Sequence, residues 1–364
     1  MDYTNSTVTP VDAEPGPTCV VLQGGFNCTG PGPLLPPPPS PLAALALVAA
    51  LLLSVAAVLG NALVVLAVAY FARLQSPTNA LALSLAVADL LVGAVVVPFS
   101  ATRAVRGCWL YGATFCRLHT CLDVMLSTAS IVHLSCIAFD RYVAICDPLR
   151  YTARVTPGTV AAMLVACWLG PLLYVAPIML GLQSVGAEAL LALACPDDCP
   201  FVMSATFSLA ATSCSFVAPM IIMLAAYARI YRVARRHARS IALRPPAPPG
   251  GSDGAKGMAA ASSSSSAPRR WRQEYNATKT LGVILGAFFA LWLPFFSAAV
   301  ADGLPGGPRV DGTTWHCVTW LGYVNSAVNP LLYASLNRAF RRAFGILFSP
   351  RELAKGRRNA DFTD

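Results

Sequence analysis

Seven long apolar runs dominate this chain, at about 42–71, 78–102, 114–139, 159–182, 201–228, 277–300 and 314–334. Each is long enough to cross a hydrocarbon core, which takes about 20 helical residues. Only 12% of the residues are charged and 56% are hydrophobic, whereas an ordinary soluble domain carries roughly 25% charge. The expected fold is all-α and membrane-embedded: a seven-transmembrane helix bundle over 41–335, followed by a short amphipathic helix after helix seven.

Charge placement sets the expected orientation. With the N-terminus outside, all but Arg103, Arg106, Arg117 and Arg309 of the 26 Lys and Arg lie on the cytoplasmic side, as the positive-inside bias requires. The net charge of +9 therefore reads as a topology signal and as a surface for anionic lipids or a cytoplasmic partner. Nucleic acid is not needed to explain it. Residues 1–40 form an N-terminal tail rich in Pro and Gly, without Lys, Arg or an apolar h-region, so no cleavable signal peptide is expected. Two sequons in that tail, at Asn5 and Asn27, are candidate glycosylation sites. A third, at Asn276, falls on the cytoplasmic side and should stay bare. Residues 240–270, with paired prolines and Ser262 to Ser266, cannot bury a core and are expected to be a disordered third cytoplasmic loop. Arg338, Arg341 and Arg342 alternate with Phe340 and Phe344 at helical spacing. That pattern predicts an amphipathic helix over 336–348 on the inner membrane surface, with 349–364 as a cytoplasmic tail.

Of the 12 cysteines, Cys121, Cys136, Cys146, Cys167 and Cys214 fall within helices or at a cytoplasmic end and read as small apolar residues. The others face the oxidising side. Cys116, at the top of helix three, and one of Cys195 and Cys199 are suited to a bridge that pins the second outer loop over the bundle. The leftover loop Cys would have Cys19 or Cys28 as a partner, and spacing alone does not fix the pairing.

Ionisable groups inside a membrane helix are expensive, so each is a functional candidate. Asp89 sits midway along helix two, with Asn61, Ser130, Asn325 and Asn329 as candidate polar neighbours. That set is either a structural polar cluster or a site for an allosteric sodium ion. Asp123 lies two turns below Cys116, roughly 10 Å along the helix, and Asp140 lies roughly 25 Å deeper still. Asp123 has no Lys or Arg within a turn on its own helix, so a ligand ammonium suits it as counter-ion. Asp140 and Arg141 form an adjacent ion pair at the inner mouth, and Glu274 on helix six offers Arg141 a second acid, a lock that could open to admit a partner. Phe288, Trp292, Phe295 and Phe296 make an aromatic face on helix six, which Pro294 kinks. On helix five, Ser208, Thr212 and Ser215 follow a helical face. Their hydroxyls either bond back to the helix or meet a polar ligand substituent.

In order and spacing, Gly60-Asn61, Leu85-Ala86-Val87-Ala88-Asp89, Asp140-Arg141-Tyr142, Trp168, Pro219 with Tyr227, Trp292-Leu293-Pro294 and Asn329-Pro330-Leu331-Leu332-Tyr333 resemble the helix signatures of rhodopsin-like G-protein-coupled receptors. The resemblance spans about 42–345. Within that class Asp123 occupies the place of the amine-binding aspartate of aminergic receptors. Tyr323 matches the helix-seven tyrosine that hydrogen-bonds it, and Trp320 the aromatic wall beside it. The stretch from Cys108-Trp109 through Asp123 and Ser127 to Ser130, with Cys146-Asp147-Pro148-Leu149-Arg150-Tyr151, is most similar to trace amine-associated receptors. That likeness implies a Cys116–Cys199 bridge, with Cys195 joined to an N-terminal Cys. Two departures stand out. Asn337-Arg338-Ala339-Phe340 replaces the family's Tyr-x-Trp-Phe ending. Ala211 and Thr212 stand where diamine-selective members often carry a second acid, so a diamine's second charge would need Asp197, Asp198, Asp302 or Asp311.

The resemblance implies a plasma-membrane receptor for organic amines, of trace-amine type with an olfactory role as one option, that couples to a stimulatory heterotrimeric G protein and raises cyclic AMP. A receptor for a classical biogenic amine, serotonin or a catecholamine, is the alternative. The ammonium would pair with Asp123, supported by Tyr323, and the ligand's body would contact Ser127, Thr212, Ser215, Trp292, Phe295, Phe296 and Trp320. Asp140, Arg141, Tyr142, Tyr227, Glu274, Pro294, Asn329, Pro330 and Tyr333 would form the activation switch. An opsin is excluded because Lys256, Lys279 and Lys355 all lie on the cytoplasmic side. An enzyme is not expected either: the runs hold no nucleophile–base or metal-ligand set. Apart from the sodium ion, no cofactor is expected.

Overall fold

The computed structural model describes residues 40–106, 109–182, 199, 204–242, 266–304, 310–349 and 351, with the backbone of 21–22 and 25–26; the side chains of 237–242, 266–281 and 336 lie outside that description. Seven long helices run through the described residues. They are α1 (Pro41–Tyr70), α2 (Pro77–Leu91 continuing through a π turn, Val92–Val96, into Val97–Arg106), α3 (Gly112–Cys146), α4 (Pro157–Met179), α5 (Ala205–Thr212, a π turn, Ser213–Val217, then Ala218–Ala242), α6 (Ser266–Gly303) and α7 (Gly312–Leu336). An eighth, α8, follows directly at Arg338–Leu347. Val21–Leu22 and Gly25–Phe26 pair as a two-residue antiparallel ladder. The expected third-loop segment, the two tail sequons, Cys19, Cys28 and Cys195 lie outside the described side chains.

Local chemistry explains where the helices begin. Pro41, Pro77 and Pro157 occupy first-turn positions, where their missing N–H costs nothing. The residue before each is a hydroxyl cap: Ser40, Ser76 and Thr156 accept from the backbone N–H groups of Ala43, Asn79 and Thr159 at 3.2, 3.3 and 3.2 Å. Asp311 caps α7 through the Thr314 N–H at 3.0 Å, which with the Thr314 hydroxyl at 2.6 Å holds its carboxyl below the usual carboxylate range.

The two π turns share a cause. Each ends two residues before a proline, Pro98 in α2 and Pro219 in α5. A proline ring collides with the carbonyl four residues back, and one widened turn relieves that collision. In α2 the widened turn leaves the Gly93 carbonyl without a helical donor, and Ser54 on α1 supplies its hydroxyl at 2.7 Å.

Six of the helices are long and apolar enough to cross a membrane by length and composition alone. The seventh, α7, is more polar, yet it is walled by α1, α2 and α6 and turns Asn325, Ser326 and Asn329 inward, all buried. The outside of the bundle is apolar instead: Leu42, Leu52 and Leu173 are 76%, 65% and 63% exposed. Apolar faces turned outward over buried polar groups are what a lipid solvent demands. α3 is the central element, packed against α2, α4, α5 and α6. One continuous core, including Val64, Leu85, Ile131, Met223, Ile284 and Phe288, joins α1, α2, α3, α5 and α6. It extends to α8, whose buried Phe340 stacks on Tyr333 at 5.3 Å while Arg341 stays exposed.

Candidate functional site

Between α3, α4, α5, α6 and α7 lies a cavity, in the kind of place between bundled helices where small-molecule sites form. Asp123 is the sole carboxylate on its described wall, and the rest is mostly apolar and aromatic: Val124, Ile131, Tyr174, Ile178, Phe207, Trp292, Phe295 and Phe296 among them. One disulfide, Cys116 to Cys199, stands at the nearer end of α3, with Cα atoms 5.6 Å apart, so the pairing implied by the resemblance is the one present.

The carboxylate of Asp123 is held from two sides. Tyr323 on α7 donates its hydroxyl to Oδ2 at 2.7 Å, and Ser127, one turn down α3, donates to Oδ1 at a long 3.5 Å. No basic side chain among the described residues forms an ion pair with it. Neither of the other described acids near this end lines the cavity. Asp302 accepts from the Val310 N–H at 3.2 Å, and Asp311 is occupied in capping α7. Asp197 and Asp198 lie outside the described residues.

The residues expected to meet a ligand mostly converge here. Asp123, Ser127, Thr212, Ser215, Trp292, Phe295, Phe296 and Tyr323 all line the cavity. Trp320 is not among the lining residues; it meets Tyr323 edge-on, with ring centroids 5.4 Å apart. Ser215 donates to its own helix at Ala211 O, 2.8 Å away, and Ser208 ties α5 to α6 through Ala299 O at 3.2 Å. Trp292 forms a floor with Phe295 and Phe296, at centroid distances of 5.6 and 5.8 Å. Phe296 in turn stacks on Phe216 of α5 at 4.1 Å. Gly322 on α7 allows this packing: a Cβ there would sit 3.0 Å from the Trp292 ring. Val124, Thr128 and Ile131 were not expected on the wall, although they share a helix face at i, i+4 and i+7. Nor were Tyr174 and Ile178, which only the packing of α4 on α3 brings in.

Deeper in the bundle Asp89 is fully buried and accepts three hydrogen bonds, from Ser130 Oγ at 3.1 Å, Ser326 Oγ at 2.9 Å and Asn329 Nδ2 at 2.7 Å. Two expected members are placed differently. Among the described hydrogen bonds Asn325, though buried, gives Asp89 none, and its neighbour Ser326 takes that position because one residue rotates a helix by about 100°. Asn61 donates instead to Ala57 O and Ser326 O at 2.8 and 2.9 Å.

At the far end Asp140 is fully buried beside Arg141, whose Nε and Nη2 donate to Oδ2 at 2.8 and 2.6 Å. Two residues that the sequence does not by itself assign to the inner mouth complete the cluster. Thr78 of α2 donates to Oδ2 at 2.7 Å and itself accepts from Arg141, and Tyr151, just past α3, donates to Oδ1 at 2.9 Å. The Glu274 side chain lies outside the described residues. Tyr142 is half-buried against Val143 and Val160. The hydroxyls of Tyr227 and Tyr333 and the Trp292 indole N–H are buried without a protein partner among the described atoms. Pro294 and Pro330 lie inside α6 and α7, which continue through them.

The sequence matches a family model described as 7 transmembrane receptor (rhodopsin family), over residues 60–333. The chain belongs to that family. Among individual relatives, it is 44% identical to trace amine-associated receptor 365 of Petromyzon marinus, over 84% of this chain and 79% of the relative. It is 40% identical to human 5-hydroxytryptamine receptor 4, over 80% of this chain and 76% of the relative. With trace amine-associated receptor 4 of Rattus norvegicus it shares 36%, over 79% and 80%.

Proposed function

We propose that this chain is a plasma-membrane receptor, N-terminus outside, that binds organic amines of trace-amine type and activates a stimulatory G protein. The observation that carries the reading is the Asp123 carboxylate, on the wall of a mostly apolar cavity and without an ion pair among the described residues. An alkylamine with a pKa near that of lysine, about 10, is protonated at neutral pH. In a water-poor cavity its charge-assisted hydrogen bonds to a carboxylate are roughly twice as strong as neutral ones. A single carboxylate on the described wall suits a ligand with a single ammonium. The ligand's apolar body would pack on Trp292, Phe295 and Phe296.

Activation follows from differential affinity: an amine that binds the open form more tightly raises its population. The inner half of α6 would swing about Pro294, separating Arg141 from its acids and opening a cleft for the G protein. A sodium ion on Asp89, Ser130 and Asn329 would bias the resting form. Anionic lipids would meet the arginines of α8, and glycans Asn5 and Asn27.

Serotonin is the second reading. The 40% identity to a 5-hydroxytryptamine receptor favours it, and Thr212 and Ser215 on the cavity wall would face its ring hydroxyl. Cyclic AMP measured in transfected cells against arylethylamines, alkylamines, diamines, polyamines and serotonin separates the two. Responses to simple monoamines at concentrations where serotonin is silent support the first reading, and the reverse order overturns it.

A further inference from the structure

We infer that Ser100 and His119 are positioning residues for the ammonium site, acting through a directional hydrogen-bond relay that ends on Asp123. The inference rests on the reading of Asp123 as the amine's counter-ion. The relay runs across three helices. His119 Nε2 on α3 lies 3.4 Å from Ser100 Oγ on α2, Ser100 Oγ lies 3.2 Å from Tyr323 Oη on α7, and Tyr323 Oη lies 2.7 Å from Asp123 Oδ2.

Proton counting gives the relay its direction. An ionised carboxylate only accepts, so the single Tyr323 proton goes to Asp123. The Tyr323 oxygen must then accept from Ser100, which spends the serine's only proton. Ser100 can accept in turn, and His119 Nε2 also faces the Val96 carbonyl at 3.1 Å, a group that cannot donate. Nε2 therefore carries the hydrogen, shared between Val96 O and Ser100 Oγ. Each donor is oriented by the one before it, and such chains polarise one another.

The far end of the relay is fixed by packing. His119 is buried, with its ring among those of Trp109 and Phe99 at 5.1 and 6.3 Å. Val96 closes the π turn of α2. Nothing on α3 alone would hold the Asp123 carboxylate in one rotamer, since the Ser127 contact is long. The relay ties Oδ2 to Tyr323 and leaves Oδ1 with the long Ser127 contact.

Binding of 2-phenylethylamine to membranes from cells expressing the full chain tests this, with surface expression measured for every variant. Ser100→Ala and His119→Phe should each weaken binding about 3- to 10-fold, the worth of one neutral hydrogen bond. Ser100→Thr and His119→Gln, which keep a donor, should recover most of the loss. Ser100→Ala made on top of Tyr323→Phe should add nothing, because the relay is already cut. An equal penalty from Ser100→Ala in both backgrounds, or none in either, overturns the relay. Should His119→Phe fail to reach the surface, Ser100→Ala, which removes one atom, decides alone. Asp123→Asn is the control. If it abolishes binding while Ser100→Ala changes nothing, only the relay falls; if Asp123→Asn binds normally, the site reading falls and takes the relay with it.

Discussion

The tightest steric constraint on the cavity floor is also the simplest to perturb. Gly322→Ala would place a methyl group 3.0 Å from Cη2 and Cζ3 of Trp292 and 3.3 Å from Cε3. Comfortable carbon–carbon contact is about 3.5–4.0 Å, so the indole has to retreat by roughly half an ångström. It cannot do so freely, because Phe295 and Phe296 stand against it and Phe296 is stacked on Phe216. Overpacking of this kind costs about 1–3 kcal/mol. If the cost falls unequally on the resting and open forms, the equilibrium between them shifts by up to about 5- to 150-fold. The assay is agonist potency and ligand-free cyclic AMP for Gly322→Ala, Trp292→Phe and the double variant, normalised to surface expression. Trimming the indole to a phenyl ring should relieve the clash, so the double variant should lie closer to Trp292→Phe alone than the sum of the two changes. Strict additivity would refute the argument that these two side chains compete for one volume.

Two further outcomes follow from the buried acids. Ser326→Ala removes one of three donors to Asp89, a bond to a charged group worth about 1.5–3 kcal/mol. It should lower receptor thermostability and sodium sensitivity more than Asn325→Ala does, and the reverse ranking would contradict the packing of α7. Tyr151→Phe deletes the hydroxyl bound to Asp140 Oδ1 and should raise ligand-free cyclic AMP severalfold by loosening the Asp140–Arg141 pair. An unchanged basal level would count against that pair as a resting lock.

Much of this architecture was legible in the sequence, because lipid leaves few alternatives: seven apolar runs predict helices whose ends fall within a few residues of those observed for most of them. The π turns were harder to see, although Pro98 and Pro219 were the signals. The cavity residues on α3, α6 and α7 were readable because a lone acid and an aromatic face stand out against apolar helices. What escaped was rotation and contact between helices. Ser326 and Asn325 differ by a single step along α7, and only packing decides which reaches Asp89. Thr78 and Tyr151 meet Asp140 from distant points in the chain, and no local pattern announces either. The family resemblance made Trp320 a wall of the ligand space, whereas in the structure it meets Tyr323 edge-on and is not among the cavity-lining residues.

The central claim is that Asp123 neutralises a ligand's positive nitrogen. The direct measurement is competition binding of a primary amine and its uncharged alcohol isostere to the unmodified receptor and to Asp123→Asn, at equal surface expression. The account predicts that the unmodified receptor prefers the amine by at least about 100-fold, of the size expected for a buried charge pair, and that Asp123→Asn erases the preference. A preference that survives the substitution would contradict it.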